Sequence, residues 1–272
     1  MASIETLEHP DDPRLADYRE IRDAARRLRD GTFIAEGREV VRRLLSARRY
    51  RARSALLTPP ALEALRAPLE AAGVPIYLVR QDIVKAIVGI EFHHGCLAVG
   101  ERGAEPSAQA VLTEAGGATV VVLEDLGDAS NVGAIFRNAL GLGAAAVLLS
   151  PGTADPLYRK AIRVSAGAAL ALPFARLPDW PRDLKRLRDA GYTLIALTPR
   201  PEAPDIAEAH AMTRPPARVA LMVGTEGRGL SDDALTAADL RVRIPMAAAM
   251  DSLNVATAAA VGLHVLSRPR RG

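Results

Sequence analysis

Between positions 119 and 266, short runs of branched apolar residues alternate with longer stretches of helical spacing, and few folds accept that pattern. Thr119–Leu123 (TVVVL) is apolar after its first residue, as a strand buried on both faces must be. Asn131–Leu142 has the spacing of a helix, and Ala145–Leu149 reads as the next strand. Together they make a strand–helix–strand unit of the length a parallel crossover needs. Asp155-Pro156 is expected to start the following helix, with aspartate as cap and proline in the first turn. Further strands are expected at 193–197, 219–223 and 241–244, and a closing helix over Ser252–Leu266. Such alternation predicts a mostly parallel α/β sheet covered on both faces. Ligands of such sheets bind beyond the carboxyl ends of the strands.

The preceding part reads as a smaller α/β sandwich. It opens with an arginine-rich helix over about 14–29, then a strand at 32–35 and a helix at 38–47 with Val40, Val41, Leu44 and Leu45 on one face. Strands Ser54–Leu57 and Pro75–Val79 flank a helix at 60–72, and Gly95–Val99 forms the last strand. No glycine-rich phosphate loop and no pair of catalytically spaced acids occurs there. Gly100–Gly117 is rich in small residues, with a proline and paired glycines, and reads as a linker holding one helical turn. The predicted organisation is therefore a domain at 1–105, a linker at 106–117 and a second domain at 118–272. A chain of 272 residues is long enough for two such cores.

With 49% apolar and 25% charged residues, the chain has the composition of a globular protein and not of a disordered one. Apolar stretches such as 255–263 fall far short of the roughly 20 residues that cross a bilayer, so no membrane partner is expected. Acids come early in MASIETLEHPDDPRL with no apolar run behind them, unlike a secretory signal. Cys96 is the single cysteine, which excludes an internal disulfide framework and a multi-cysteine metal site. A cytoplasmic protein without metal is the expectation. The net charge of +3 says little, but residues 38–53 hold seven arginines against the one acid Glu39. Such an excess pairs with phosphates and releases counterions, and the planar guanidinium fork suits phosphate better than lysine does. A solvated helix face is the competing reading.

Three polar clusters follow apolar strands. In residues 124–139 (EDLGDASNVGAIFRNA), Asn131 can cap the next helix and Gly133 permits close packing. Arg137 lies among Ile135, Phe136 and Leu140, a turn and a half inside that helix and directed toward the mouth of the sheet; a solvated surface arginine is the competing reading. In residues 219–230 (VALMVGTEGRGL), a strand runs into three glycines within six residues, with Glu226 among them. A backbone so rich in glycine turns tightly or approaches something closely. In residues 242–255 (VRIPMAAAMDSLNV), a strand ends near Pro245, and a loop of Ala247, Ala248 and Ala249 leads to Asp251 or Ser252 as helix cap. Asn254 then sits within an apolar helix, where a buried carboxamide needs partners.

In this order the clusters resemble the SpoU family of RNA ribose methyltransferases, within the SPOUT superfamily. Its three motifs match NVGAIFRNA (131–139), MVGTEGRGL (222–230) and IPMAAAMDSLNVA (244–256), with a weaker match at RVSAGAAL (163–170). The likeness covers about 119–268. Ala129 departs from the proline common in the family, which shapes only the loop. Phe33–Gly37 (FIAEG) and His94-Gly95 give the first domain a less specific resemblance to the ribosomal-protein-like RNA-binding domain of many such enzymes.

The resemblance implies a SPOUT-type sheet with a C-terminal trefoil knot, S-adenosyl-L-methionine as cofactor, and a homodimer whose active sites use both chains. It implies catalytic roles for Arg137, Asn131, Glu226, Ser252 and Asn254, and cofactor contacts at Gly224, Ile244, Met246 and Leu253. RNA contacts are expected from Arg38, Arg42, Arg43, Arg48, Arg49 and Arg163. Ribosomal RNA, 23S in particular, is favoured over transfer RNA as substrate. A guanidinium is almost never neutral, so Arg137 is expected to act as an electrostatic clamp and not as a base. A Rossmann enzyme would need G-x-G-x-x-G after the first strand, and EDLGDASNVGA lacks it. A catalytically silent RNA-binding protein would not need Asn131, Arg137, Glu226 and Asn254 together.

Overall fold

The structure is a computed structural model that describes residues 3–19, 21, 23–88, 95–116, 119–208, 218–247, 250 and 252–266. The chain forms two compact units, Met1–Ala104 with Pro156–Ala171, and Glu105–Asp155 with Leu172–Gly272.

The first unit begins with strand β1 (Ile4–Thr6), which its short, partly exposed sequence does not announce. The single helix expected over 14–29 is instead a 3-10 turn at Pro13–Tyr18 and a short helix α1 (Ala24–Arg29). Arg19 adopts an extended backbone that ends the first piece, and the Asp23 carboxylate accepts from the Arg26 amide to start the second. There follow β2 (Thr32–Glu36), α2 (Arg38–Ser46), β3 (Arg51–Leu57), α3 (Pro59–Ala72), β4 (Ile76–Leu78), α4 (Gln81–Val88) and β5 (Cys96–Glu101). The strands form one mixed sheet in the order β1-β4-β3-β5-β2. Burial among apolar neighbours pushes the Cys96 thiol up to about 11, which leaves it unreactive at neutral pH. His94 lies outside the described residues.

The stretch 106–117, whose composition predicts a linker, contains a two-turn helix α5 (Ala108–Glu114). Ser107 accepts from the Ala110 amide at 3.2 Å to cap it, and Ala108, Val111, Leu112 and Ala115 supply a buried face in the core of the second unit. The chain continues through β6 (Val120–Leu123), α6 (Ala129–Gly141) and β7 (Ala146–Leu149). Two short helices, α7 (Arg159–Val164) and α8 (Ala168–Ala171), then belong to the first unit. α7 starts at Arg159 and not at Asp155-Pro156, because Pro156–Tyr158 forms a turn that buries Leu157. β8 (Phe174–Arg176), α9 (Leu184–Asp189), β9 (Tyr192–Leu197), β10 (Arg218–Val223), α10 (Asp232–Ala237), β11 (Leu240–Val242) and α11 (Val255–Leu266) complete the second unit.

Its six strands are all parallel, in the order β11-β9-β10-β6-β7-β8. Every residue of β6 and β7 is buried, as their uninterrupted apolar sequences require. The chain leaves β6 toward β7 and β8, then returns on the other side through β9 and β10. That reversal places the switch point between β6 and β10, where ligands of open α/β sheets bind. Among the described residues no helix is long and apolar enough to cross a membrane, and no group of three His, Cys, Asp or Glu side chains could hold a metal ion.

In the first unit, α7 packs against edge strand β2, and Arg159 Nε lies 2.9 Å from Glu36 Oε2. Both side chains are largely buried, and the contact is one of charge without hydrogen-bond alignment. Removing one member strands the other charge. Arg159→Met is expected to cost about 3 kcal/mol in urea denaturation, and Glu36→Leu in the same chain to recover most of that loss.

Candidate active site

Beyond the switch point the chain makes a tight loop from Val223 to Ser231. Thr225 and Gly229 pair across it, the Thr225 amide donating to Gly229 O at 3.1 Å and the Gly229 amide to Thr225 O at 2.9 Å. The loop folds back so closely on Gly224 that a Cβ there would lie 2.3 Å from the Gly229 carbonyl and 2.4 Å from the Leu230 amide nitrogen. These neighbours are backbone and cannot swing aside. At Gly227 and Gly229 the backbone takes φ +88 and +72, which glycine alone adopts without strain.

The loop presents Glu226 to two asparagines from distant segments. Asn131 Nδ2 and Asn254 Nδ2 each donate to Glu226 Oε1 at 2.9 Å, and Asn254 Nδ2 also donates to Asn131 Oδ1 at 3.0 Å. Three residues thus close a hydrogen-bonded triangle. Asn131 is not the cap of its helix: Asp128, three residues earlier, accepts from the Ser130 amide at 2.8 Å and starts α6. Asn254, read from sequence as buried within a helix, is exposed and stands just before α11. Its Oδ1 accepts from the amides of Ala256 and Thr257, so it is itself the cap, in place of Ser252. Asp251, the other expected cap, lies outside the described residues, as do Ala248 and Ala249. α11 is drawn to α6 by Asn138, whose Nδ2 donates to Ala256 O at 3.0 Å.

Beside the triangle lies a cavity of about 360 Å³. Gly224, Ile244, Met246 and Leu253 all line it, together with Glu226, Ser252 and Asn254. Leu197, Thr198 and Pro199 form another part of its wall. Nothing in their spacing marks them, although they lie at the end of a strand, β9, as the polar clusters do. The lining is largely apolar side chain and main chain, and the volume lies within the range of small-molecule sites.

Arg137 is placed differently. It is exposed on α6, and its guanidinium pairs with no acid among the described residues. It stands six residues beyond Asn131, about 9 Å further along the helix and rotated by about 120°. The structure therefore does not bring it to the triangle of its own chain, nor does it line the cavity. Leu140, three residues on, is also exposed, as are Met250 and Leu253.

The arginines of the first unit divide by partner. Arg42 and Arg43 share Glu39 at 2.8 and 3.2 Å, whereas Arg38 and Arg48 are exposed and pair with no acid among the described residues. Arg49 is half-buried. Arg163 is exposed on α7, in the same unit. Four residues later, Gly167 packs against α2, where a Cβ would lie 3.0 Å from Arg43 Cδ.

Residues 118–264 match the model of the SpoU rRNA Methylase family. A protein of Mycobacterium bovis named as an uncharacterized tRNA/rRNA methyltransferase is 45% identical over 263 residues, 95% of this chain and 90% of its own. Among solved structures, an RNA 2'-O ribose methyltransferase is 26% identical with a TM-score of 0.75, covering 96% of this chain and 98% of that one. An AdoMet-bound rRNA methyltransferase from Sinorhizobium meliloti, 24% identical, shares the fold over 97% of both chains with a TM-score of 0.81.

The closeness of the loop to Gly224 gives a direct expectation. Gly224→Ala should lower stability by about 3 kcal/mol, read by urea denaturation. Gly127→Ala, where a Cβ meets nothing within 4 Å, should stay within about 0.5 kcal/mol of the parent.

Proposed function

The chain belongs to the SpoU rRNA Methylase family, and from that premise we propose that it methylates a ribose 2'-hydroxyl of structured RNA, using S-adenosylmethionine. The observation that carries this reading is the Asn131–Glu226–Asn254 triangle at the edge of a largely apolar cavity built on Gly224.

The cavity fits such a cofactor in kind. Main chain at Gly224, Ile244 and Leu253 offers polar edges to a purine, and Met246 offers an apolar contact. When bound, S-adenosylmethionine supplies an electrophilic methyl group. The protein's part is to prepare the acceptor. A ribose hydroxyl is a weak nucleophile until its proton is lost or the charge developing on oxygen is stabilised. Glu226 fixes both carboxamides, so Asn131 and Asn254 hold one orientation toward a ribose. Ser252 adds an exposed hydroxyl at the cavity wall.

Arg137 stays protonated and acts as a clamp on the target phosphate and the nascent alkoxide. Its place on the exposed face of α6, away from its own triangle, fits service in the site of a second copy. The exposed Leu140, Met250 and Leu253 suit the apolar contact such a homodimer requires. With this reading go the trefoil knot of the second unit and RNA recognition by the first, through Arg38, Arg42, Arg43, Arg48, Arg49 and Arg163. Ribosomal RNA, 23S in particular, is the substrate we favour. Transfer RNA is the second reading, since the name of the mycobacterial relative covers both.

Arg137→Ala should reduce methyl transfer by about 10²–10³-fold while calorimetry shows unchanged S-adenosylmethionine affinity; near-parental activity would remove Arg137 from the site. Mixing Arg137→Ala chains with Asn254→Ala chains should restore part of the activity, because one hybrid site then holds both residues. Replacing Arg38, Arg42 and Arg48 by alanine should flatten the dependence of log affinity for RNA on log salt by about 0.7–0.9 for each phosphate no longer neutralised.

A further inference from the structure

Glu124 directly follows β6 and is buried to 3% exposure. No basic side chain among the described residues pairs with it. Its carboxylate instead accepts three hydrogen bonds: from Trp180 Nε1 at 2.6 Å, Ser231 Oγ at 2.6 Å and the Ser231 amide at 2.8 Å. Its own amide donates to Val223 O at 2.9 Å. One residue therefore grips both ends of the Val223–Ser231 loop, the entry through its main chain and the exit through its side chain.

The grip is directional. Ser231 Oγ accepts from the Ala234 amide at 3.2 Å as the cap of α10, so its hydrogen is committed to Glu124. A glutamine could not replace the carboxylate without turning an NH₂ toward a donor, because all three partners donate. If the position served packing alone, an apolar residue of similar size would be cheaper than a buried carboxylate. What the carboxylate holds is the loop that carries Gly224 and Glu226, both in the cavity wall.

We propose that Glu124 is a positioning residue that sets the shape of the cofactor cavity by fixing where the Val223–Ser231 loop enters and leaves. The proposal rests on the reading of that cavity as the S-adenosylmethionine site. The loop's tip has its own anchor in the triangle with Asn131 and Asn254. Loss of Glu124 therefore acts on cofactor binding more than on turnover once the site is filled.

The test uses three variants of the full chain. Glu124→Gln and Ser231→Ala should each raise the KM and the calorimetric Kd for S-adenosylmethionine at least tenfold, with kcat at saturating cofactor within threefold of the parent. Without cofactor, amide exchange across 224–230 should speed up by a similar factor in both. Trp180→Phe removes the third donor from the side away from the loop. It should lower Tm while leaving Kd and loop exchange unchanged. If Glu124→Gln fails to fold, Ser231→Ala carries the test. Parental Kd and exchange in the loop-side variants would overturn the proposal, as would equal shifts from all three variants in proportion to their drop in stability. If the parent chain itself binds no S-adenosylmethionine, the functional reading falls, and loop exchange alone then decides whether Glu124 positions the loop.

Discussion

Oε1 of Glu226 receives hydrogen bonds from two carboxamides that lie 95 residues before it and 28 residues after it in the chain. For one oxygen to accept both, α6, the loop after β10 and the start of α11 must converge at a common point. The parallel pairing of β6 with β10 makes that possible, since it sets both strand ends side by side. α11 is then brought in by its packing on β10 and α6. Gly262 lets the helix lie so close to β10 that a Cβ would meet Leu221 Cδ2 at 3.0 Å, and Asn138 bonds the first turn of the helix at Ala256. The cavity is the space those constraints leave open. Its polar wall is held by hydrogen bonds between exposed groups, so its geometry depends on the buried sheet beneath it.

Much of this was legible in the amino-acid sequence, for reasons particular to each element. β6, β7 and, after its exposed Arg218, β10 carry uninterrupted apolar residues because they are buried on both faces, and such runs stand out. The glycines at 224, 227 and 229 announce a backbone that must bend back on itself. α5 was hidden by its setting, since glycines and a proline around it suggest a linker, although Ala108, Val111, Leu112 and Ala115 have the spacing of one helix face. Asn254 was misplaced because an asparagine ahead of an apolar helix has the same sequence whether it caps the helix or lies inside it. Glu124 left no trace: an acid after a strand is ordinary, and its three donors come from 56 and 107 residues away.

The arginine excess at 38–53 divides in space in a way that counting does not show. Glu39 is shared by Arg42 and Arg43, and Arg53 is held between Asp17 and Glu101. These side chains are pre-oriented by exposed pairs that contribute little to stability. Arg38 and Arg48 carry no such acid partner among the described residues and present their charge to solvent. The formal excess of positive charge therefore overstates what is unpaired and understates what is already ordered.

The place of α7 and α8 in the first unit bears on how such chains can be cut and recombined. Edge strand β2 is covered by a helix that the chain supplies more than a hundred residues later, from within the stretch matched by the family model. A break near residue 105 would leave β2 with an uncovered hydrogen-bonding edge and Glu36 without its counter-charge, while α7 and α8 would lose the support for their buried residues. The two units are consecutive for the most part, yet they are not separable modules. A chimera that exchanges the first unit between relatives would have to carry residues 156–171 with it, so the two units cannot be inherited independently at a single crossover.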